Sequence, residues 1–394
     1  MSTADVSVVP DPTRFVALDQ LRAVAVLSMI SAHFAPGVLE RIRALAPYAD
    51  AIGVVGRLST VAFVVCFGLT LGFIQLPRFA QGKGATVKAW LFGRARLLFV
   101  CVLVVTGPAY LDLAFNGIDD PFQTWLWRTH GVLNFYVLAM LSAVLWLLFL
   151  QRDTARRAVL LAAGFWLAYL VIREAWPDPR IWTSANFVRL HIAGGAYAYL
   201  PLAAVSVLAI MLGAWIRRQV MTGNIDLIAR CCVMWGGVLV AFGFLLGKAT
   251  DMTLHGIADG SLKGPPRLWY WALFSGATLI FFSLLTALHA RLPWLRARTG
   301  LVSLFGQAAL GIFTMHAWVL PALAAVDYFI VIEGVKRVLL ALAIFVLFCG
   351  LAMGWYARKN RRRPTPVPQP SSSREADALL RAEAPPVAAG SASL

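Results

Sequence analysis

Charge is scarce in this chain: Asp, Glu, Lys and Arg make up 14% of its 394 residues, where a soluble domain carries roughly a quarter. That scarcity excludes an ordinary soluble enzyme. Cysteine is sparse as well. Cys66, Cys101, Cys231, Cys232 and Cys349 all fall inside apolar blocks, with no Cys-x-x-Cys motif and no paired histidine spacing, so they read as packing residues, and neither a disulfide framework nor a metal site is expected. No basic cluster precedes the first apolar block, where Asp5 and Asp11 stand instead. A cleavable signal peptide is therefore not expected, and the first block stays as a helix. Apolar periodicity is missing from Pro364 to Leu394, a run rich in Pro, Ser and Ala. Such a composition buries too little surface to fold, so a disordered tail is expected there.

What the chain has in abundance is apolar sequence, 60% of its residues, with a mean hydropathy of +0.73. It arrives in blocks long enough to cross a bilayer at about 20 residues each, rather than in one-sided stripes. Reading these blocks between charged interruptions predicts an all-α, polytopic integral membrane protein of about ten transmembrane helices. The spans fall near 16–36, 52–75, 91–111, 131–150, 158–175, 196–216, 228–247, 268–289, 303–323 and 336–356. Three parts are expected: a short N-terminal stretch 1–14, a membrane domain 15–357, and a tail 358–394 that is basic and then disordered.

The formal charge of +16 does not point to nucleic acid, because the basic residues sit in short loops between apolar blocks, where they set orientation in the membrane. Arg78, Lys83 and Lys88, then Arg152, Arg156 and Arg157, then Arg217 and Arg218, then Arg291, Arg296 and Arg298 occupy alternate loops, joined by the cluster from Arg358 to Arg363. By the positive-inside rule that side is cytoplasmic, which predicts a multi-pass protein of the inner (plasma) membrane with both termini in the cytoplasm. The opposite loops hold most of the acids and also Arg41, Arg43, Arg57, Arg173, Arg180, Arg189, Lys263 and Arg267.

Ionisable groups inside an apolar span are expensive, so those that persist are functional candidates. The first span holds two. Arg22 and His33 are eleven positions apart, which puts them on one helix face, separated by roughly 16 Å along the axis. Asp19 lies one turn before Arg22. A neutral imidazole at His33 can take a proton from a hydroxyl; the competing reading is a histidine bonded to a neighbouring carbonyl to complete packing. Arg22 either serves a site, snorkels, or pairs with Asp19. His316, in the ninth span, should reach a depth near that of His33, as part of one cavity or as a packing histidine. Arg94 and Arg96 open the third span, where their rigid forks suit the phosphates of a donor or simply anchor the helix. His130, His191 and His255 fall at span ends or loops opposite the basic side, and His289 near the basic end of its span. The tryptophans near span ends, among them Trp125, Trp127, Trp176, Trp182, Trp269 and Trp271, form an ordinary aromatic belt or a sugar-stacking surface.

The stretch Leu18-Asp19-Gln20-Leu21-Arg22-Ala23-Val24-Ala25, followed by His33, resembles the opening signature of the membrane acyltransferase 3 superfamily, where an arginine and a histidine with ten residues between them mark the first helix. That family often has Gly at the positions of Gln20 and Ala23. The segment Ala62 to Leu69 resembles a phenylalanine-rich family segment, with Phe67 standing where Ser is usual and Gly68 kept. Arg94 and Arg96 are two apart, where the family commonly has two arginines three apart. Gly131 to Tyr136 and the segment ending in His316 are also similar, and the related glucan-succinylating membrane proteins share the ten-span layout. The resemblance runs from about residue 14 to 356, with its specific part in the first helix. It implies transfer of an acyl group, often acetyl, from a cytoplasmic acyl-CoA such as acetyl-CoA to a hydroxyl of an extracytoplasmic glycan or lipid-linked sugar. His33 would activate the acceptor or handle the acyl group, Arg22 would position charge, and Arg94 and Arg96 would bind the donor.

Two other classes compete with this reading. A transporter or flippase of about ten to twelve helices also carries buried His and Arg on its path and is marked by helices broken near the midplane; Gly194-Gly195 and Gly236-Gly237 are the candidate breaks. A non-catalytic assembly factor for envelope synthesis is the third, and it requires His33 to be dispensable.

Overall fold

The computed structural model describes residues 15–34, 46–115, 131–176, 184–250, 252–263, 267–292, 295, 300–330 and 334–361. The expectations for residues 1–14 and for the tail beyond 361, and those for His130, Trp125, Trp127, Trp182, Arg296 and Arg298, lie outside the described residues. The protein is an all-α, multi-pass membrane protein, and no strand occurs among the described residues. In chain order the helices are α1 (Val16–Phe34), α2 (Ala49–Ala80), α3 (Gly84–Phe115), α4 (Val132–Leu150), α5 (Thr154–Ala175), α6 (Tyr199–Met221), α7 (Ile225–Lys248), α8 (Leu268–Arg291), a broken α9 and α10 (Gly334–Arg361). The pieces of α9 are α9a (Leu301–Gln307), α9b (Ala309–His316) and α9c (Val319–Phe329).

Among the described residues eight helices are long and apolar enough to cross a membrane: α2 to α5, α7, α8, α10, and α6 together with its lead-in from Asn186. The two remaining expected spans are α1 and α9. Each falls short for a physical reason. Asp19, Gln20, Arg22 and His33 dilute the apolar sequence of α1, which is sustainable because α1 packs among α2, α8 and α9 and leaves the apolar Leu27 on its exposed side. Ala17, Leu21, Ala25 and Val26 of α1 are completely buried. By contrast Leu167 on α5, Trp235 and Leu245 on α7, and Val346 on α10 are exposed, as faces in contact with lipid tails require.

Three-residue connections tie the helices on the basic face. Gly82 (φ 80°) and Gly223 (φ 77°) take the left-handed conformation that ends α2 and α6, and the amides of Lys83 and Asn224 reach back to the carbonyls of Arg78 (3.1 Å) and Gln219 (2.9 Å). Asp153 accepts from the amide of Arg156 (3.2 Å) and starts α5. α10 continues through Arg358 to Arg361, further than the expected boundary at 357, because Arg and Lys are good helix formers and favour a helix C-terminus.

Prolines shape the interior. Pro77 and Pro108 sit inside helices, where each removes an N–H and frees the carbonyl four residues earlier. A neighbouring side chain takes each carbonyl instead: Arg217 donates to Phe73 O (3.3 Å), and Trp318 donates its indole N–H to Val104 O (3.1 Å). A π-turn at Leu71–Gln75 absorbs the disturbance in α2. Pro321 is set against the carbonyl of Ala317, and α9 breaks there, at residues 317–318. Pro201, in the first turn of α6, likewise keeps helix from continuing back through Tyr197, and the π-helical lead-in Leu190–Gly194 ends in extended Gly195. Gly194-Gly195 therefore does mark a break, at the end away from the basic face. Gly236-Gly237 does not: α7 runs through it unbroken.

Small residues bring backbones together. A Cβ on Gly72 would lie 2.0 Å from Ile210 O, and one on Gly68 2.2 Å from Ser206 O, so α2 and α6 meet backbone to backbone. Gly306 is tighter still, with a Cβ there falling 1.6 Å from Asp19 O. That approach presses α9a onto the polar end of α1.

Candidate functional site

Two cavities lie end to end along α1. The first, about 540 Å³, is toward the basic face and is lined by Asp19 and Arg22 of α1, Thr70 and Arg78 of α2, and Arg94 of α3, with largely apolar walls. The second, about 250 Å³, is toward the opposite face and is lined by His33, Arg57, Ser59, Thr60, Thr106 and His316 among others. Phe63, Val132, Leu133 and Phe313 line both and form the partition between them. The rings of Phe63 and Phe313 meet edge to face with centroids 6.3 Å apart. The spacing that puts Arg22 and His33 on one face of a helix thus delivers one to each cavity.

In the first cavity Arg22 donates to Asp19 Oδ1 (2.7 Å) and to Thr70 Oγ1, and Thr70 donates onward to Cys66 O (2.7 Å). Arg22 is thus both paired with Asp19 and a cavity wall, and its guanidinium is fixed by α1 and α2 together. The ion pair offsets the cost of burying Asp19, and removing one partner would leave the other charge uncompensated. Arg94 stacks its guanidinium over Trp90, 5.6 Å from the ring centroid, and both line the cavity. Arg96 does not join it: on α3 it lies on an exposed face and lines neither cavity. A spacing of two turns the second arginine about 200° away from the first, which is why Arg94 and Arg96 diverge.

In the second cavity the rings of His33 and His316 face each other with centroids 5.1 Å apart. His316 directs Nδ1 at the carbonyl of Phe313, an arrangement in which Nδ1 carries the proton and Nε2 is left as the acceptor. Two imidazoles at this distance can pass a proton between a hydroxyl and the cavity. Arg57 donates through Nε to Ala258 O (3.0 Å), binding a short helix, Leu254–Ala258, to the start of α2. In the loop that follows, the amide and hydroxyl of Ser261 hold the Asp259 carboxyl below the usual carboxylate range.

His255 pairs with Asp50 (3.2 Å) and His191 with Phe187 O (3.0 Å); neither lines either cavity. His289 is structural. It donates from Nε2 to Gln20 Oε1 (2.6 Å), and Gln20 donates to Leu295 O (2.8 Å), so Gln20 locks α1 to the end of α8. Phe67 packs on Tyr136, with ring centroids 5.4 Å apart.

Sequence reasoning did not single out Arg57, Thr70 or Tyr136. Arg57 carried a usable signal, a charge at the edge of an apolar block. Thr70 carried none, since threonine is common in helices that back-bond as this one does. Tyr136 lines the first cavity, and its hydroxyl is buried without a hydrogen-bond partner among the described residues. A buried polar group left in that state costs about 1–3 kcal/mol.

No family model, no curated protein and no solved structure matches this chain.

Proposed function

We propose that this protein is an integral membrane O-acyltransferase, moving an acetyl or succinyl group from a cytoplasmic acyl-CoA to a hydroxyl of an extracytoplasmic glycan or lipid-linked sugar. The observation that carries this reading is the pair of cavities on α1, one with three arginines and the other with paired imidazoles, divided by one apolar partition that includes the Phe63 and Phe313 rings. On this reading the basic face is cytoplasmic in the inner (plasma) membrane, as the positive-inside rule favours. The donor's phosphates meet Arg78 and Arg94, and its thioester end points along the apolar walls toward the partition. The acceptor hydroxyl enters the second cavity and gives its proton to His33, with His316 as second base. Its oxygen bonds the acyl carbon, the carbon–sulfur bond breaks, and the thiolate leaves as CoA thiol once it regains the proton.

The test follows label from acetyl-CoA into the extracytoplasmic glycan fraction of membranes carrying wild-type protein or His33→Ala at matched expression. Label that enters the glycan and depends on His33 supports the enzyme. Equal transfer by both removes His33 from the mechanism. No transfer by either, from labelled acetyl-CoA or from labelled succinyl-CoA, leaves the second reading, a transporter or flippase, which the break of α9 beside the second cavity favours. That reading is tested by uptake of the labelled glycan precursor into vesicles without any acyl donor.

A further inference from the structure

Tyr136 is out of place as a purely structural residue. Its hydroxyl is buried with no hydrogen-bond partner among the described residues, which is unusual in a folded interior. Ser206, Trp269 and Trp271 also hold a buried polar atom without such a partner, but they line neither cavity. Tyr136 lines the first. It follows Val132 and Leu133 on α4 by one helical turn, and those two residues belong to the partition shared with the second cavity. One turn is about 5.4 Å. Tyr136 thus lines the stretch of the first cavity next to the partition, on the α4 wall. Phe67 and Phe135 pack against its ring, with centroids 5.4 Å and 5.2 Å away, and fix its orientation.

A group that has lost water and gained no protein partner is prepared for a ligand atom. We infer that Tyr136 donates its hydroxyl hydrogen to the thioester carbonyl oxygen of the acyl donor, an inference that rests on the acyl-transfer reading above. The donor enters among Arg22, Arg78 and Arg94, and the atom that must come closest to the partition is its acyl carbon. As the acceptor oxygen bonds that carbon, charge develops on the carbonyl oxygen and returns when the carbon–sulfur bond breaks. A phenolic O–H held in a dry wall strengthens its hydrogen bond through that step without reorganising. No covalent bond to Tyr136 forms, and its proton stays on the hydroxyl. The imidazoles on the far side of the partition are left with proton transfer alone.

The experiment compares wild type and Tyr136→Phe as full chains in membrane vesicles, measuring initial rates of label transfer from acetyl-CoA across a range of acetyl-CoA concentrations, together with thermal unfolding of each in detergent. Because the hydroxyl holds nothing in the protein, Tyr136→Phe should unfold at the wild-type temperature or above it. Its kcat should fall about 100-fold with the KM for acetyl-CoA changed less than about threefold, the pattern of an interaction made in the transition state. An unchanged kcat overturns the assignment, as does a rise in KM alone, which would put the hydroxyl on another part of the donor. A variant that unfolds early overturns it too, since the hydroxyl would then be holding the fold. If wild type transfers label from neither acetyl-CoA nor succinyl-CoA, the acyl-transfer reading and this one fall together; if wild type transfers and the variant matches it, only this one does.

Discussion

Adding a single methyl group at Gly306 should loosen the whole site. A Cβ there would lie 1.6 Å from Asp19 O, 2.6 Å from Asp19 C and 3.2 Å from Ala23 N, all backbone atoms of α1, which have no rotamer to give way. Ordinary contact begins near 3.4 Å, so α9a must retreat by about 1.8 Å to accept Gly306→Ala. That helix leads into α9b, which carries Phe313 of the partition and His316, whose ring lies 5.1 Å from that of His33. Overpacking of this kind costs about 1–3 kcal/mol, which for a chain this large lowers the melting temperature by roughly 1–4 °C. A misplacement of about 1 Å at reacting groups costs about 100-fold in rate, so label transfer should fall by at least that factor. The four buried cysteines, Cys66, Cys101, Cys232 and Cys349, supply the assay, since a thiol-reactive dye reports their exposure on heating in detergent. Gly237→Ala is the control: a Cβ there meets nothing within 4 Å, and a helix-interior alanine gains about 1 kcal/mol over glycine. Wild-type melting and wild-type transfer in Gly306→Ala would refute the close approach of α9a to α1.

Three further outcomes are expected. Gly236→Ala, one residue before the control, should destabilise by about 1–3 kcal/mol in the same melting assay, because its Cβ would lie 2.8 Å from Gly276 O on α8; a melt equal to that of Gly237→Ala would contradict the α7–α8 contact. Arg94→Ala should raise the KM for acetyl-CoA about 10- to 100-fold, the worth of one charge-assisted hydrogen bond, while Arg96→Ala should leave it unchanged, and steady-state rates in vesicles separate the two. Trp318→Phe should cost about 1–3 kcal/mol by stranding Val104 O. In a Pro108→Ala background most of that loss should vanish, because the restored amide takes the same carbonyl, and a double-mutant cycle on melting reads the coupling.

Much of the site was legible from α1 alone, because helical geometry converts the spacing of Arg22 and His33 into a shared face without reference to any other part of the chain. The depth of His316 followed from counting along its span. What counting missed was the break at residues 317–318, although Pro321 announces it, and the division of the site into two cavities. The partition depends on Phe63 and Phe313, which lie 250 positions apart and which nothing in their local sequence sets apart from other phenylalanines. Arg94 and Arg96 were predicted as a pair, and only the placement of α3 separated the one that lines the first cavity from the one that does not.

The all-α membrane class lay in the amino-acid sequence, because apolar block length and sparse charge are properties of a segment in a solvent and need no partner. The identity of a carbonyl's second donor, the glycines that let α1, α2, α6 and α9a touch, and the buried hydroxyl of Tyr136 were decided only by tertiary structure. Each is a contact between segments distant in sequence, and such contacts are set by how the faces of helices pack rather than by what any one helix contains.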